Sequence, residues 1–293
     1  MIRIGFDARE KQAEVTQYLV SHPEIKQMFV FYPEAFPFAL DAGSVAVEYV
    51  EYKDIIEYKP FYHLLEVIDP LSLLVFNECM RTQNRSDLTY NCAHHYANQT
   101  GHKIVFEHFP FIERADDFMI LLDFQNKGRY KGKGFDRVFL ADEDIMVIPR
   151  APSLSTIDLQ LPDREFERYE DKKRKLFDAL GNGDPDTIPR QLHVFAGNYK
   201  KNAVDPDLHY VARNARFNLP NVRTYRDVGR TRDYIVIDFP HRRIDFNDFL
   251  KRSGMTEIRF LNSGLKVDRY YIDDMRGWIG RLEGFYAQAG IRP

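Results

Sequence analysis

The first 32 residues constrain the fold more than any other stretch of the chain. Met1 to Phe6 is an apolar run that reads as a buried strand, and Asp7-Ala8-Arg9-Glu10 closes it. Lys11 to His22 follows with helical spacing: Ala13, Val15, Tyr18, Leu19 and Val20 fall on or near one face, and Pro23 stops the run. Met28 to Tyr32 is a second strand-like run. Strand, helix, strand in that order makes a βαβ opening, whose crossover brings the second strand back parallel to the first. A parallel sheet must be covered by helices on its faces.

The later pattern fits that beginning. Val45 to Tyr52 alternates as a strand does, and Phe61 to Met80 reads as mostly helical with a break near Asp69-Pro70. Ser86 or Asp87 is placed to cap a helix running to Ala97. Lys103–Phe109 and Phe118–Phe124 read as strands, and a Gly- and Lys-rich loop, Lys127 to Lys133, comes next. Arg164 to Leu180 is a charged amphipathic helix closed by Gly181-Asn182-Gly183. Gln191 to Ala196 reads as a strand, Asn221 to Pro240 carries two more strand-like runs, and Asp268 to Ala289 is a final helix holding the only tryptophan, Trp278. The fold class expected is α/β, with a mixed, mostly parallel central sheet, flanking helices and C-terminal additions.

Composition narrows the function. A chain of 293 residues suits one or two domains. The formal net charge of -3 gives no global attraction to polyanions, so any nucleic-acid surface must be a local patch. Cys79 and Cys92 sit in no metal or disulfide motif, which fits a reducing cytoplasm. No apolar stretch approaches the roughly 18 residues that span a bilayer, and the N-terminus has no long apolar signal region. A membrane is therefore not an expected partner. There is no G-x-x-x-x-G-K-[ST], no G-x-G-x-x-G after the first strand, no G-x-S-x-G and no H-E-x-x-H.

The most chemically suggestive stretch is Arg137 to Pro149, RVFLADEDIMVIP. Apolar runs flank Asp142-Glu143-Asp144, and acids held between residues that seek burial need compensation. On a strand Asp142 and Asp144 share a face, a spacing that suits two carboxylate ligands on one hard cation. The plainer alternative is a strand ending in a wet acidic turn.

The shape hhhL-x-D-x-D-hhhh resembles the D-x-D strand of GT-A fold, nucleotide-sugar-dependent glycosyltransferases. The opening IRIGFDARE resembles the first strand of family-8-like members, with Gly5, Phe6, Asp7, Arg9 and Glu10 in place. QLHVFAGNYKKN resembles their late His-x-x-Gly-x-x-Lys-Pro-Trp segment through His193, Gly197 and Lys200, although the His-to-Gly gap is one residue longer and Lys201-Asn202 replaces Pro-Trp. The resemblance implies a GT-A or Rossmann-like fold and a metal-dependent transfer of sugar from a nucleoside diphosphate to an acceptor, with a modified DNA base among the possible acceptors. It also implies Mn²⁺ or Mg²⁺ held by Asp142, Asp144 and His193, a diphosphate met by Lys200, and a nucleotide pocket formed by Gly5, Asp7 and Arg9. Residues 1–150 would form the nucleotide-binding half and 151–293 the acceptor-side half, packed as one compact unit.

A second constellation points elsewhere. Arg81, Asn84, Arg85, Asp87 and Asn91, with His94 and His95, are dense in side chains that make directed hydrogen bonds. Asp87, Asn91 and His94 or His95 share one side of a helix, where they would read a sugar, a base or a phosphate, and Arg81 and Arg85 would clamp a phosphate. Basic and aromatic residues also interleave at Arg129-Tyr130-Lys131, Arg223 to Arg232 and His241-Arg242-Arg243. That pattern suits single-stranded nucleic acid. The alternative expectation is thus a nucleic-acid-binding or DNA-base-modifying protein without sugar transfer.

Overall fold

A computed structural model describes residues 1–33, 39–79, 88–108, 145–179, 187–213, 219–229, 233–239 and 243–288. The chain divides into two compact units, Met1–Arg150 with Arg281–Pro293, and Ala151–Gly280.

The first unit runs β1 (Ile2–Ile4), α1 (Ala8–Ser21), β2 (Gln27–Tyr32), β3 (Ala46–Glu51), a 3-10 turn (Asp54–Ile56), α2 (Tyr58–Val67), β4 (Leu73–Asn77), α3 (Leu88–Ala97), β5 (Lys103–Glu107) and β6 (Ile145–Val147). The strands form a six-stranded sheet in the order β3-β2-β4-β5-β1-β6. Every pairing in it is parallel. β4 and β5 are buried at all five positions each, which is why their sequences are nearly unbroken apolar runs. Alternation sends Val30, Val75, Ile104 and Phe106 to the face that packs with Val15 of α1. The neighbouring positions Phe31 and Phe76 stack at 4.9 Å, and Tyr96 of α3 packs on Phe31 at 6.0 Å.

The β1–α1 junction is fixed by two local devices. Asp7 is the helix N-cap, accepting from the amides of Arg9 and Glu10 at 2.9 Å each, while the Glu10 carboxylate accepts from the Asp7 amide at 2.7 Å. This reciprocal capping box satisfies amides that the helix itself cannot. Gly5 has φ +80°, and a Cβ there would stand 2.0 Å from the Ile148 carbonyl oxygen. Only glycine allows that approach.

The second unit runs β7 (Ser153–Asp158), α4 (Asp163–Asp178), α5 (Thr187–Lys200), a 3-10 turn (Lys201–Ala203), β8 (His209–Ala212), β9 (Val222–Thr224), β10 (Tyr234–Val236), α6 (Arg243–Ser253), β11 (Glu257–Asn262) and α7 (Lys266–Gln288), the last of which continues into the segment counted with the first unit. Its five strands are ordered β7-β11-β10-β8-β9. They too pair in parallel throughout.

The α/β class with parallel strands and flanking helices therefore holds, in two sheets where one central sheet was expected. Two local expectations need correction. Gln191–Ala196 is not a strand but the middle of α5, because the buried apolar residues Ile188, Leu192 and Ala196 recur every four residues. The Phe61–Met80 stretch is not one broken helix: α2 ends at Val67, and the apolar run beyond Asp69-Pro70 is the central strand β4. A fully buried strand carries no alternation to distinguish it from a buried helix. The expected strand Phe118–Phe124 and the Lys127–Lys133 loop lie outside the described residues.

Candidate functional site

In open parallel sheets, ligands bind beyond the carboxyl ends of the strands. In the first unit that end gathers polar groups. Lys11, in the first turn of α1, is buried, and its ammonium donates to Asn77 Oδ1 at 2.7 Å and Glu78 Oε1 at 3.3 Å. Asn77 ends β4 and Glu78 follows it; both are buried. Glu78 is the one non-glycine residue with positive φ among those described, at 57°. A residue held there stores strain, a feature that concentrates at ligand sites. Glu107 at the end of β5 and Cys79, which is in no disulfide, are also buried. Burial, reinforced by Cys79, Glu107 and Glu78, holds the Tyr52 hydroxyl well above its ordinary pKa. These groups make a desolvated cluster in which Lys11 offsets part of the negative charge.

The second unit carries its own buried charges. Lys200, the last residue of α5, is fully enclosed. Its Nζ donates to the Ile237 carbonyl at 2.7 Å and to Asp268 Oδ1 at 2.8 Å, and lies 4.2 Å from the centre of the Phe260 ring. Burial pulls the Lys200 pKa down, and Asp268 pulls it back. Asp268 Oδ2 in turn accepts from the amide and hydroxyl of Ser263. His193 is fully buried, with Nε2 3.5 Å from Asp238 Oδ2 and its ring 4.7 Å from that of Tyr271. Asp238 also accepts from the Arg213 amide at 2.7 Å.

The residues singled out in the sequence fall as follows. Asp142, Asp144, Arg81, Arg85 and Asp87 lie outside the described residues. Gly5 serves the approach to β6, Asp7 caps α1, and Arg9 is exposed on that helix. These three belong to the first unit, while His193 and Lys200 belong to the second. Asn91 is exposed on α3, as is His95 one turn later; His94 is half-buried, and its ring Nδ1 lies 3.2 Å from the Asn98 amide nitrogen. The Lys11–Asn77–Glu78 group was not anticipated. Its signal was present in the sequence, as the polar pair Asn77-Glu78 ending the apolar run LLVF, but a helical reading of that run hides a strand end.

No family model matches the sequence, and no curated protein matches it. Among solved structures, the chain is similar to a Sulfolobus solfataricus SWI2/SNF2 ATPase core in complex with dsDNA, at TM-score 0.40 and 9% identity, covering 96% of this chain and 90% of that one. A second structure, the Sulfolobus solfataricus SWI2/SNF2 ATPase core domain, gives TM-score 0.36 at 10% identity over 89% of this chain and 72% of that one. The Pyrococcus furiosus Hef helicase domain gives TM-score 0.42 at 10% identity over 93% and 94%.

The glycosyltransferase reading is corrected on both counts. The three structures named above are ATPase and helicase cores, not sugar transferases. The motif that resembled a late metal-and-diphosphate segment is a helix, α5, whose Lys200 is spent on Asp268 inside the core and whose His193 lies fully buried beside Asp238 and Tyr271. With that reading go the transferase activity and the nucleotide-sugar donor. Among the described residues no helix is long and apolar enough to cross a membrane.

Proposed function

We propose that the chain is a nucleic-acid-binding α/β protein whose ligand crevice lies at the carboxyl end of the first unit's sheet. The observation that carries this reading is the Lys11–Asn77–Glu78 group, buried, charged and strained at Glu78, at the place where open parallel sheets take ligands. Helix α3 adds Asn91 and His95, one turn apart and exposed, and the chain entering it carries Arg81, Arg85 and Asp87. Guanidinium groups clamp phosphates in a bidentate manner, while amide and imidazole groups reach base edges. The net charge of -3 makes this a local surface. A cation, Mn²⁺ or Mg²⁺, at Asp142 and Asp144 belongs to the same proposal, where it would bridge the protein to phosphate.

Phosphate binding at the β1–α1 turn forms no part of it. The Asp7 carboxylate already takes up the amides of Arg9 and Glu10, and the Glu10 carboxylate that of Asp7, so these donors are not available to an anion. The buried cysteines Cys79 and Cys92, in no disulfide, favour a reducing compartment, and we place the protein in the cytoplasm.

The test is fluorescence anisotropy with labelled single- and double-stranded oligonucleotides between about 50 and 200 mM salt. Binding should weaken with salt, and Arg81→Ala with Arg85→Ala should flatten the logarithmic slope by about 2. If no oligonucleotide binds, or if binding ignores salt, the reading is wrong.

A further inference from the structure

We propose that His22, Glu24 and His102 form a binding site for a divalent transition-metal cation at the amino end of the first unit's sheet. His22 ends α1, Glu24 lies in the turn that follows, and His102 leads into β5. One ligand atom from each lies within 4.8 Å of the other two. Tetrahedral coordination at bond lengths of about 2 Å brings ligand atoms to roughly 3.3 Å. The remaining closure would fall to Glu24, the exposed member of the three.

The second observation is the way the two imidazoles are held. His22 Nδ1 lies 2.9 Å from the Tyr18 carbonyl oxygen, and His102 Nδ1 lies 3.0 Å from the Tyr18 hydroxyl. A ring nitrogen facing a carbonyl must carry the proton, so His22 keeps Nε2 as a lone-pair donor. Metal-binding histidines are typically held in this way, with the far nitrogen donating to a carbonyl or another acceptor. Ring packing fixes the orientation further: Tyr18 stacks on His22 at 4.1 Å, and the His22 and His102 rings meet edge to face at 5.2 Å. One residue, Tyr18, thus positions both imidazoles.

The surroundings admit a cation. A cavity of about 540 Å³, lined by Arg3, Glu14, Tyr18, His22, Thr100 and Lys103 among others, lets water complete the coordination. Of the cationic groups lining it, Arg3 is paired with Glu14 at 2.6 Å, and the Met1 ammonium donates to the Lys103 carbonyl at 2.7 Å. Two imidazoles and one carboxylate select Zn²⁺, Co²⁺, Ni²⁺ or Cu²⁺ over Mg²⁺ and Ca²⁺, which prefer an all-oxygen shell. The site differs in residues and in chemistry from the acid pair Asp142 and Asp144. Its cation would tie the end of α1 to the start of β5.

Tag-free, chelator-treated full-length protein titrated with Co²⁺ should show a visible d–d band saturating at a single equivalent, and Zn²⁺ should displace it and raise the melting temperature. Mg²⁺ should do neither. His22→Ala with His102→Ala should abolish the band, and Tyr18→Phe should weaken affinity by about tenfold. Glu24→Gln, on an exposed side chain, tests the site even if the double variant fails to fold, and should also weaken Co²⁺ binding. Absence of a band, or a band unchanged in either histidine- or glutamate-substituted protein, overturns the proposal.

Discussion

At Asp7 a single carboxylate decides how the first helix begins, and its charge state is tied to that duty. The amides of Glu10 and Arg9 hold the Asp7 pKa below its ordinary value of 3.8, against a smaller desolvation cost. A carboxyl whose folded pKa is depressed adds stability above its unfolded pKa and loses it as pH falls through the folded value. Asp7→Ala should therefore cost about 1 kcal/mol near neutral pH. The cost should shrink below pH 3.8. Urea midpoints of the wild type and the variant, taken at neutral and strongly acidic pH, measure it. An equal gap at both pH values would sink the idea. The neighbouring Gly5 shows what a sequence conveys about single residues and what it withholds. That a glycine directly after a strand has a backbone task was legible. That the task is an approach to the Ile148 carbonyl was not, since it depends on a strand that lies more than a hundred residues away.

At the scale of the element, helix α5 explains why one motif misled. Read as a string, QLHVFAGNYK offers a histidine, a glycine and a lysine at spacings that suit ligands. Folded, it is a helix whose His193 and Lys200 are buried, Lys200 held by Asp268 and the Ile237 carbonyl and His193 lying beside Asp238. β4 shows the converse, an apolar run whose strand nature becomes plain only once its neighbours β2 and β5 pair with it on both sides. The opening βαβ was legible because α1 carries both a capping signal and a stop. β7, β8, β11 and α6 passed unread, being short or surrounded by charge. The pair Lys200–Asp268 then predicts a stability pattern instead of a catalytic one. Lys200→Met leaves Asp268 buried without its cation and should cost about 3–5 kcal/mol. Adding Asp268→Asn removes the orphaned charge while keeping an acceptor for Ser263, so the double variant should be more stable than the sum of the single losses. Urea denaturation of the four proteins closes the cycle. Strict additivity would mean that the two groups do not couple.

At the scale of the molecule, the C-terminal segment has an unusual assignment. Residues Arg281–Pro293 group with Met1–Arg150, although α7, whose last residues fall in that segment, begins in the second unit. The chain's last turns are thus structural material for its first unit, which sequence order alone would not suggest. Among the described residues of that segment Leu282, Phe285 and Tyr286 are buried, at spacings of three and four that mark one helical face. Truncating a buried phenylalanine removes both its transfer free energy and the packing around it, so Phe285→Ala should destabilise the first unit by about 3–5 kcal/mol. Hydrogen exchange resolves where the loss falls. Amides of β4 and β5, both fully buried, should exchange faster in the variant, while those of β10 and β11 should keep their wild-type rates. Trp278, the only tryptophan, lies before the division at Gly280, so its fluorescence provides a second check on the unit that should not respond. Faster exchange confined to β10 and β11 would assign the segment to the wrong unit. Acceleration in both sheets would mean that the two units unfold as one cooperative body.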